Sequence, residues 1–571
     1  MEIVIIGAVA AGPKVASRAK RLMPEAGITM IDQDDFISYG GCGIPYFVSG
    51  DVSDEKELRS TSFHMVRDPY FFREGKGVIV RSLTRAVSID RKERLVHVED
   101  VATGKKDAVK YDKLVITTGS RPNVLPVPGR ELEGVYVISD LHKAVAIKED
   151  LAKGKVKNAV IIGGGAIGIE MAEGLADLWG VDTTIVEFMP QILPRIVSPT
   201  IAAMVQRHLN EHGVKVYTQE AAKEFQAGGG KRVAKVVTNK RELPADLVVM
   251  AAGVRPRGEL ARDAGLLVSP QGAIIVNQRM QTSDSDIYAA GDCVEIPNIV
   301  TGKKFYAPLG SLANRQGRVV ADNLGGIPSV FQGCVGSFIM KVFDMCVGST
   351  GISLEVARAE GFDAANAQCV QSDRAHFFPS QALMFLDMII EISTKRVLGL
   401  QGFGQMGDGL LARINAAAGL IERRAVISDF STLELAYAPP FSNAVDVLNA
   451  VANVADNLVS GRLKTVPVED FMAWMDGTSD HPDWTALDLR SSKEAAGLVE
   501  RFGDKWISMP YDKVRSSYQS LPKDKMFILI CNAGTRSYES QCFLRSVGIN
   551  NSLVLPWGLN VCMRLGAAWL S

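Results

Sequence analysis

Short apolar runs alternate with helical patterns through about the first 325 residues of the chain. The runs 3-IVIIG-7, 28-ITMID-32 and 114-LVITTG-119 are rich in Ile and Val. Between the first two, residues 13–22 carry a basic pattern that favours a helix. Continuous apolar runs of this length are typical of strands buried on both faces, so the alternation predicts parallel α/β domains.

The pattern changes at about residue 330. The segment 336-GSFIMKVFDMCVGSTG-351 favours strands and 407-GDGLLARINAAAGLIERR-424 favours a helix, which together predict an α+β domain. A further helix is predicted to end at Gly461, followed by a connector. The apolar runs 486-ALDLR-490, 526-MFILIC-531 and 552-SLVLPWGL-559 then predict a separate α/β domain of about 100 residues.

Length and charge limit the functions open to the chain. Its 571 residues correspond to about three or four domains. The net charge of -1 provides no overall basic field for nucleic acid or an anionic membrane. The chain has no apolar run long enough to span a bilayer and no secretory signal pattern, and its eight cysteines form no disulfide framework. We therefore expect a cytoplasmic protein that acts on small molecules.

A dinucleotide-binding pattern lies in 162-IGGGAIGIE-170. Gly163, Gly165 and Gly168 follow a predicted strand and open a predicted helix, as a tight turn against a pyrophosphate requires. About 20 residues later, Glu187 ends the next strand and is placed to accept a hydrogen bond from a ribose 2′-hydroxyl. The carboxylate would repel the 2′-phosphate of NADPH, so NADH is the predicted donor. The alternative is a glycine turn without a ligand.

A weaker copy of the pattern lies at the N-terminus. In 7-GAVAAG-12, Val9 replaces the middle glycine, but Asp32 supplies the ribose acid at the expected distance. In 287-IYAAGDCVE-295, Asp292 follows a glycine after a strand and is placed to bind a ribityl chain. These segments predict a second dinucleotide site, for FAD.

The order of these motifs resembles the two-dinucleotide disulfide reductase flavoproteins over roughly residues 1–450. The resemblance implies FAD bound by the first motif, NADH bound by the second, and a homodimer formed by the α+β domain. We expect the FAD site to include Gly7, Ala10, Ala11, Gly12, Asp32, Gln33, Thr118, Gly119, Gly291 and Asp292. We expect the NADH site to include Gly163, Gly165, Ile167, Gly168, Glu187 and Gly253. The expected domains are FAD-binding (1–150 and 280–328), NAD-binding (151–279), dimerisation (329–450), a linker (451–466) and a C-terminal domain (467–571).

The stretch 38-SYGGCGIPYF-47 contains one cysteine, Cys42, where glutathione-reductase-like members carry two. A lone thiol stores an electron pair only by bonding to an external group, as a mixed disulfide, a persulfide or a sulfenic acid. The single-cysteine branch that the chain resembles includes coenzyme A-disulfide reductases, NADH-dependent persulfide or polysulfide reductases, and NADH oxidases and peroxidases. Peroxidase members place a histidine where this chain has Ala10, which argues against that activity. The alternative for Cys42 is a small buried cysteine, and as a redox thiol we expect it to be reached through a narrow channel.

Coenzyme A-binding members bear basic residues on the first helix. Lys14, Arg18 and Arg21 share one helical face here, and Ser38 matches the serine of the family's cysteine motif, although Gly41 replaces its asparagine. A solvated basic face would look the same. The branch also presents a tyrosine from the partner subunit, and Tyr437 in 436-AYAPPFS-442 matches it as a proton donor.

The C-terminal domain resembles a rhodanese. The resemblance rests mainly on 531-CNAGTRS-537 after a predicted strand. A thiolate of Cys531 at a strand-to-helix turn would face backbone N–H groups, with Arg536 close by, so the turn is predicted to hold a thiolate or persulfide. The usual histidine of the domain's first segment is missing, and an inert structural cysteine is the alternative.

The sequence thus predicts an NADH- and FAD-dependent reductase of persulfide, polysulfide or coenzyme A-disulfide bonds. Cys42 is its redox-active centre, and the fused C-terminal domain handles sulfane sulfur through Cys531. Coenzyme A is expected as a ligand or substrate. The main alternative is an NADH oxidase that forms water or peroxide through a Cys42 sulfenic acid. A third possibility is a binding or sensor protein whose C-terminal domain recruits partners.

Overall fold

A computed structural model describes residues 1–138 and 140–570 of the chain. These residues form two compact units. The first unit contains Met1–Pro190 and His212–Cys334, and the second contains Gln191–Glu211 and Val335–Ser571. Among the described residues, no helix combines the length and apolar character needed to cross a membrane.

The first unit contains two parallel sheets of five strands, each built around a strand that precedes a glycine turn. The strands of the first sheet, in spatial order, are Ile287–Ala289, Lys113–Ile116, Glu2–Ile6, Gly27–Ile31 and Ile79–Arg81. Those of the second sheet are Lys215–Tyr217, Asp182–Val186, Asn158–Ile162, Leu247–Met250 and Val135–Val137. Each packs against helices and also against a three-stranded antiparallel sheet, which the apolar runs did not predict.

Smaller antiparallel elements accompany these sheets, and the sequence reading did not predict them. One three-stranded sheet contains Thr84–Asp90, Leu95–Asp100 and Lys106–Lys110, and a second contains Ala222–Ala227, Val233–Thr238 and Glu242–Pro244. Two strand pairs are also present: Ser120–Pro122 with Val254–Pro256, and Ile296–Pro297 with Lys304–Phe305. The helices of this unit are Ala11–Leu22, Ile44–Ser49, Glu55–Arg59, Pro69–Lys76, Leu141–Ala152, Ala166–Asp177, Glu259–Asp263 and Gly310–Leu324.

Two predicted boundaries in this unit are wrong. Val135–Val137 pairs with Leu247–Met250, so the second sheet already includes residues assigned to the first domain. Conversely, Ala261 and Ile274 pack in the core of the first sheet, although the second segment of the FAD-binding domain was predicted to begin only at residue 280. Sheet membership depends on pairing between distant strands, which a local apolar pattern does not encode.

The second unit contains an antiparallel sheet and a parallel sheet. The antiparallel strands, in spatial order, are Phe338–Val342, Met345–Gly351, Val397–Gln405, Leu383–Glu391 and Ala364–Ser372. The parallel strands are Trp506–Ser508, Trp484–Asp488, Met526–Ile530 and Ser552–Val554. The helices are Pro199–Glu211, Leu354–Ala359, Asp408–Glu422, Ile427–Ser431, Val447–Val459, Val468–Met475, Ser492–Phe502, Val514–Ser517, Thr535–Ser546 and Leu559–Leu565.

The connection between these two sheets differs from the predicted linker. Helix Val447–Val459 runs across the expected boundary at residue 450 and packs against the antiparallel strands Ala364–Ser372 and Leu383–Glu391. Its buried face includes Val451 and Ala455. The segment predicted as a linker over 451–466 is therefore mostly a packed helix.

Candidate active site

The first glycine turn of unit 1 has the geometry that a dinucleotide pyrophosphate needs. Gly7 has φ of +104°, and a Cβ at Gly12 would lie 2.0 Å from the Gly7 carbonyl oxygen, so neither position accepts a larger residue. Asp32 follows the second strand and accepts from the backbone N–H groups of Ala8 (2.7 Å) and Asp34 (3.0 Å). Burial raises the pKa of this carboxyl, and the two N–H donors oppose that rise.

The remaining FAD candidates converge on the same sheet edge. Asp292 follows strand Ile287–Ala289 and accepts from the Ser120 hydroxyl at 3.3 Å, and burial raises its pKa. Thr118 donates to the Arg257 carbonyl at 2.6 Å, and Gly119 has a positive φ. The Gly291 N–H donates to Gln316 at 2.7 Å. The residues present fit FAD. The glycine turn suits the pyrophosphate, and the half-buried carboxylates of Asp32 and Asp292, at the C-terminal ends of the parallel strands, suit the ribose and ribityl hydroxyls. Gln33 instead accepts from Arg85.

The second glycine turn repeats this geometry at the second sheet. Gly163 has φ of +116°, and a Cβ at Gly168 would lie 2.0 Å from the Gly163 carbonyl oxygen. Gly165 caps helix Ala166–Asp177, and Ile167 is exposed in its first turn. Glu187 is buried and accepts from the N–H groups of Gly164 and Met189, each at 2.6 Å. Gly253 accepts from the Asn123 N–H at 2.9 Å. This turn fits a nicotinamide dinucleotide.

Cys42 lies in the short turn Gly41–Gly43, directly before helix Ile44–Ser49. Its side chain is exposed among the described residues of the single chain, which differs from the expected access through a narrow channel. A Cβ at Gly310 would lie 3.7 Å from the Cys42 sulfur, which places the thiol at the N-terminus of helix Gly310–Leu324. The N–H groups of a helix N-terminus favour a thiolate over a thiol. Sequence reasoning missed Gly310 because it is distant along the chain.

A cavity of about 430 Å³ opens at Cys42. Four cationic side chains line it: Lys14, Arg21, Arg67 and Lys76. Ser38 also lines it and has φ of +49°, with its N–H bonded to the Ala8 carbonyl in the first glycine turn. Aromatic rings complete the wall, contributed by Tyr39, Phe71 and Phe72. The arrangement suits an anionic ligand that also carries a flat or apolar part.

The structure corrects one of the three basic residues, Lys14, Arg18 and Arg21, that were expected to bind coenzyme A. Arg18 is not among the residues that line the cavity, because its guanidinium donates to Asp322 on helix Gly310–Leu324 at 2.8 Å. Lys76 faces the cavity instead, with its ammonium 5.2 Å from the centre of the Phe71 ring. The signal in the sequence was 69-PYFFREGK-76, a short amphipathic helix that combines aromatic and basic residues.

The helix after Cys42 contacts the helix after the second glycine turn. A Cβ at Gly174 would lie 2.4 Å from the Ser49 Cβ, so the two helices approach closely. Between them, the Tyr46 hydroxyl lies 3.4 Å from Glu170, and burial raises the pKa of that carboxyl to about 7. Sequence reasoning did not single out Glu170, since nothing local reveals its burial.

The aromatic segment that carries Tyr437 lies in unit 2. Tyr437 is 53% exposed, Phe441 74% and Phe377 67%, and a bond from the Ala375 N–H to the Pro439 carbonyl at 3.2 Å joins their two loops. An exposed aromatic cluster of this kind is typical of a surface that another chain covers. In the single chain, Tyr437 is therefore free to contact a partner.

The second thiol, Cys531, follows strand Met526–Ile530 in the C-terminal sheet. Its sulfur is buried and accepts from the Gly534 N–H at 3.0 Å, at the start of helix Thr535–Ser546. Arg536 is half-buried beside Glu494, whose pKa is lowered mainly by the Ser491 hydroxyl, with the Arg536 charge contributing. The predicted strand-to-helix turn is thus present, with one backbone N–H bonded to the Cys531 sulfur.

Two dinucleotide turns and a thiol at a helix N-terminus define a flavoprotein oxidoreductase that uses a nicotinamide nucleotide. The chain belongs to the pyridine nucleotide-disulphide oxidoreductase family: the family's model matches residues 1–307, and the model of its dimerisation domain matches residues 338–448. It is an NAD(P)H-dependent enzyme whose family uses FAD.

Relatives extend the likeness over most or all of the chain. An NAD(P)H coenzyme A polysulfide/persulfide reductase of Pyrococcus horikoshii is 34% identical over 79% of this chain and 98% of its own length. An NADH oxidase of Methanocaldococcus jannaschii is 31% identical over 81% of this chain and all of its own length. An NAD-dependent persulfide reductase from A. fulgidus has a TM-score of 0.91 at 36% identity, covering 98% of this chain and 100% of that one. Reduced Bacillus anthracis CoADR-RHD has a TM-score of 0.89 at 29% identity, covering 99% and 98%.

Proposed function

We propose that the protein uses NADH to reduce the S–S bond of a persulfide, a polysulfide or a coenzyme A disulfide through Cys42. The observation that carries this proposal is the position of the Cys42 sulfur, exposed at a helix N-terminus and facing a cationic cavity. A thiolate held there attacks sulfur and is reached by a small anionic substrate.

The cavity supports coenzyme A, or a thiol derived from it, as the carrier of the sulfur. Lys14, Arg21 and Lys76 supply charge for phosphate groups, and the Phe71 ring beneath Lys76 supplies a surface on which an adenine ring can stack. Ser38 is close enough to the thiol turn to contact the pantetheine arm. The relatives named as coenzyme A-dependent are consistent with this assignment.

The chemistry requires one sulfur exchange and one electron pair. The Cys42 thiolate attacks the outer sulfur of the substrate, so a bond forms between Cys42 and that sulfur while the thiol portion leaves. FAD, held by the first glycine turn with Asp32 and Asp292, would supply the two-electron relay by which the sulfur on Cys42 is reduced at the expense of NADH. Hydrosulfide then leaves and Cys42 returns to a thiolate. The balance is NADH + H⁺ + RSSH → NAD⁺ + RSH + H₂S.

NADH is the proposed donor because of Glu187. Its carboxylate, held by two backbone N–H groups at the ribose position, accepts a bond from a 2′-hydroxyl and repels a 2′-phosphate. Two relatives are named as NAD(P)H-dependent, so we propose a preference for NADH over NADPH and not exclusive use of NADH.

We further propose a homodimer in which Tyr437 of one subunit reaches the Cys42 cavity of the other. The exposed cluster of Tyr437, Phe441 and Phe377 lies mainly in the part matched by the family's dimerisation model. A tyrosine hydroxyl placed there donates a proton to the leaving thiolate. Phe377 has no hydroxyl, so its loop supplies only apolar contact.

Cys531 has a separate proposed role, as an acceptor of sulfane sulfur. The Gly534 N–H favours a persulfide anion on Cys531, from which a coenzyme A thiol takes the sulfur to Cys42. The domain is still proposed to be a rhodanese, but its attachment differs from the expected linker. The helix that was expected to be its linker is packed against the antiparallel sheet.

An NADH oxidase is the second candidate function. An exposed Cys42 is open to oxygen or peroxide as well as to sulfur, and some relatives bear that name. The test compares NADH consumption under anaerobic conditions with coenzyme A persulfide against consumption in air without it. The reductase proposal expects rapid anaerobic consumption with one hydrosulfide released for each NADH. Oxygen-dependent consumption alone would establish the oxidase instead.

A further inference from the structure

Residues 557–566 of the C-terminal domain contact the antiparallel sheet of unit 2. Trp557 is fully buried, and its indole N–H donates to the Leu386 carbonyl at 3.1 Å. Its ring also packs edge-on against Phe385, with 5.8 Å between ring centres. Leu386 lies in the middle of strand Leu383–Glu391, paired on both sides. The contact is therefore made to a rigid part of the sheet.

Two further contacts come from the same segment. The Arg564 guanidinium lies 4.8 Å from the centre of the Phe403 ring on the neighbouring strand. Gly566 approaches Arg207 on helix Pro199–Glu211 so closely that a Cβ there would clash with its guanidinium. These contacts place the segment against the sheet at one end and against a helix at the other.

The opposite side of this segment supports the Cys531 loop. The Leu559 N–H donates to the Cys531 carbonyl at 2.9 Å, and the Asn560 N–H donates to the Asn532 carbonyl at 3.1 Å. A Cβ at Gly558 would lie 2.3 Å from the Cys531 carbonyl oxygen. The backbone of the thiol loop therefore rests directly on residues adjacent to Trp557.

Trp557 itself is held in an unfavourable backbone conformation. Its φ is +60°, in the left-handed region that bulky residues rarely adopt. Such a conformation persists only where surrounding contacts determine it, and here they are the Leu386 carbonyl and the Phe385 ring. The contact is thus maintained at a local cost.

We infer that Trp557 is a positioning residue that fixes the Cys531 thiol loop on the antiparallel sheet, so that sulfur bound to Cys531 is held in one orientation relative to that sheet. The inference rests on the proposed role of Cys531. Its consequence is that delivery of sulfur from Cys531 depends on Trp557, whereas the loading of Cys531 depends on the Gly534 cradle within the domain.

Trp506 provides a matched control. It is also fully buried in the C-terminal domain, and its indole N–H donates at 3.1 Å, but the acceptor is Asp488 of the same domain. Trp506→Phe and Trp557→Phe remove the same kind of hydrogen bond from the same domain. Only Trp557→Phe removes one that crosses to the sheet.

The experiment measures two reactions with thiosulfate as the donor. The first is sulfite release with glutathione as acceptor, which reports on Cys531 alone. The second is anaerobic NADH oxidation with coenzyme A present, whose balance is NADH + S₂O₃²⁻ → NAD⁺ + SO₃²⁻ + HS⁻. NADH oxidation with added coenzyme A persulfide is measured beside them, because it does not need Cys531.

We expect Trp557→Phe to lower thiosulfate-dependent NADH oxidation about tenfold relative to Trp506→Phe. Sulfite release and the reduction of coenzyme A persulfide should stay within about twofold of that control. Arg564→Met, which removes a second contact to the sheet, should give the same pattern and serves if Trp557→Phe does not fold.

Three results would overturn the inference in different ways. If Trp557→Phe and Arg564→Met match Trp506→Phe in every reaction, the sheet contact does not matter for delivery. If they lower sulfite release and NADH oxidation equally, the segment supports the chemistry of Cys531 itself. If Cys531→Ser leaves thiosulfate-dependent NADH oxidation unchanged, the proposed role of Cys531 is wrong and the inference falls with it.

Discussion

At the scale of a single residue, the proposed role of Cys42 concerns the reduction of sulfur and not the binding of nucleotides. Cys42→Ser is expected to keep bound FAD and NADH-driven bleaching of the flavin, because the glycine turns and their carboxylates lie elsewhere in unit 1. Turnover with sulfur acceptors should be lost. Stopped-flow absorbance and steady-state NADH oxidation measure the two properties, and unchanged turnover in Cys42→Ser would refute the proposed role of the thiol.

Glu187 is expected to set the preference between the two nicotinamide donors. Glu187→Ala removes the repulsion of the 2′-phosphate and should narrow the ratio of kcat/KM for NADH over NADPH by about tenfold. It also leaves the Gly164 and Met189 N–H groups without their acceptor. Glu187→Gln keeps an acceptor without the charge and is the control. Equal use of both donors by the native enzyme would contradict the assignment.

The two arginines of the first helix allow a paired test of the cavity. Arg21 lines it, whereas Arg18 is bonded to Asp322. Arg21→Ala should weaken coenzyme A binding about tenfold, as expected for the loss of one charge-assisted contact to phosphate, and Arg18→Ala should weaken it far less. Calorimetric titration of coenzyme A measures both. Equal effects would mean that the cavity is not the coenzyme A site.

These residues also show what sequence can and cannot provide. Gly7, Gly163, Asp32 and Glu187 were predictable because turn geometry and strand ends determine them locally. Arg18 was not, because its position on the helix suits the cavity while its partner Asp322 lies far along the chain.

At the scale of elements, the contact between helices Ile44–Ser49 and Ala166–Asp177 makes stability depend on pH. Burial raises the pKa of the Glu170 carboxyl from its ordinary value of 4.5 to about 7 in the folded protein. The folded state therefore binds more protons than the unfolded state between these values. Stability is greatest below the lower value and falls as pH rises through 7, by up to about 3 kcal/mol.

Glu170→Gln should remove this dependence. The amide cannot ionise, so we expect the variant to be more stable than the native protein at pH 8, with little difference at pH 5. Thermal unfolding followed by flavin fluorescence over that pH range measures the effect. A native Tm that does not fall between pH 5 and 8 relative to Glu170→Gln would show that the carboxyl is not buried in solution.

Element boundaries were predicted less well than element types. The strands and helices that flank the glycine turns matched their apolar patterns, and so did the helix predicted to end at Gly461, which is Val447–Val459. Val135–Val137, however, joined the second sheet, and the helix packs on the antiparallel sheet where a linker was also expected. Both differences arise from tertiary pairing, which selects among locally acceptable conformations.

At the scale of the whole molecule, the sequence separated the C-terminal domain by its own strand pattern but did not reveal its attachment. Trp557 reads as one apolar residue in 552-SLVLPWGL-559, and only the fold brings it to Leu386. The proposed function nevertheless centres on one sulfur atom, the thiol of Cys42.

The most direct test is the mass of the peptide that contains Cys42. Enzyme with oxidised flavin and a free Cys42 thiol is mixed anaerobically with coenzyme A persulfide. The sample is then divided, and one half receives a single equivalent of NADH. We predict a persulfide on Cys42 in the untreated half, and its removal by NADH with release of hydrosulfide. An adduct that persists after NADH has been consumed, or a Cys42 that is modified only as a sulfenic acid in air, would contradict the reductase account.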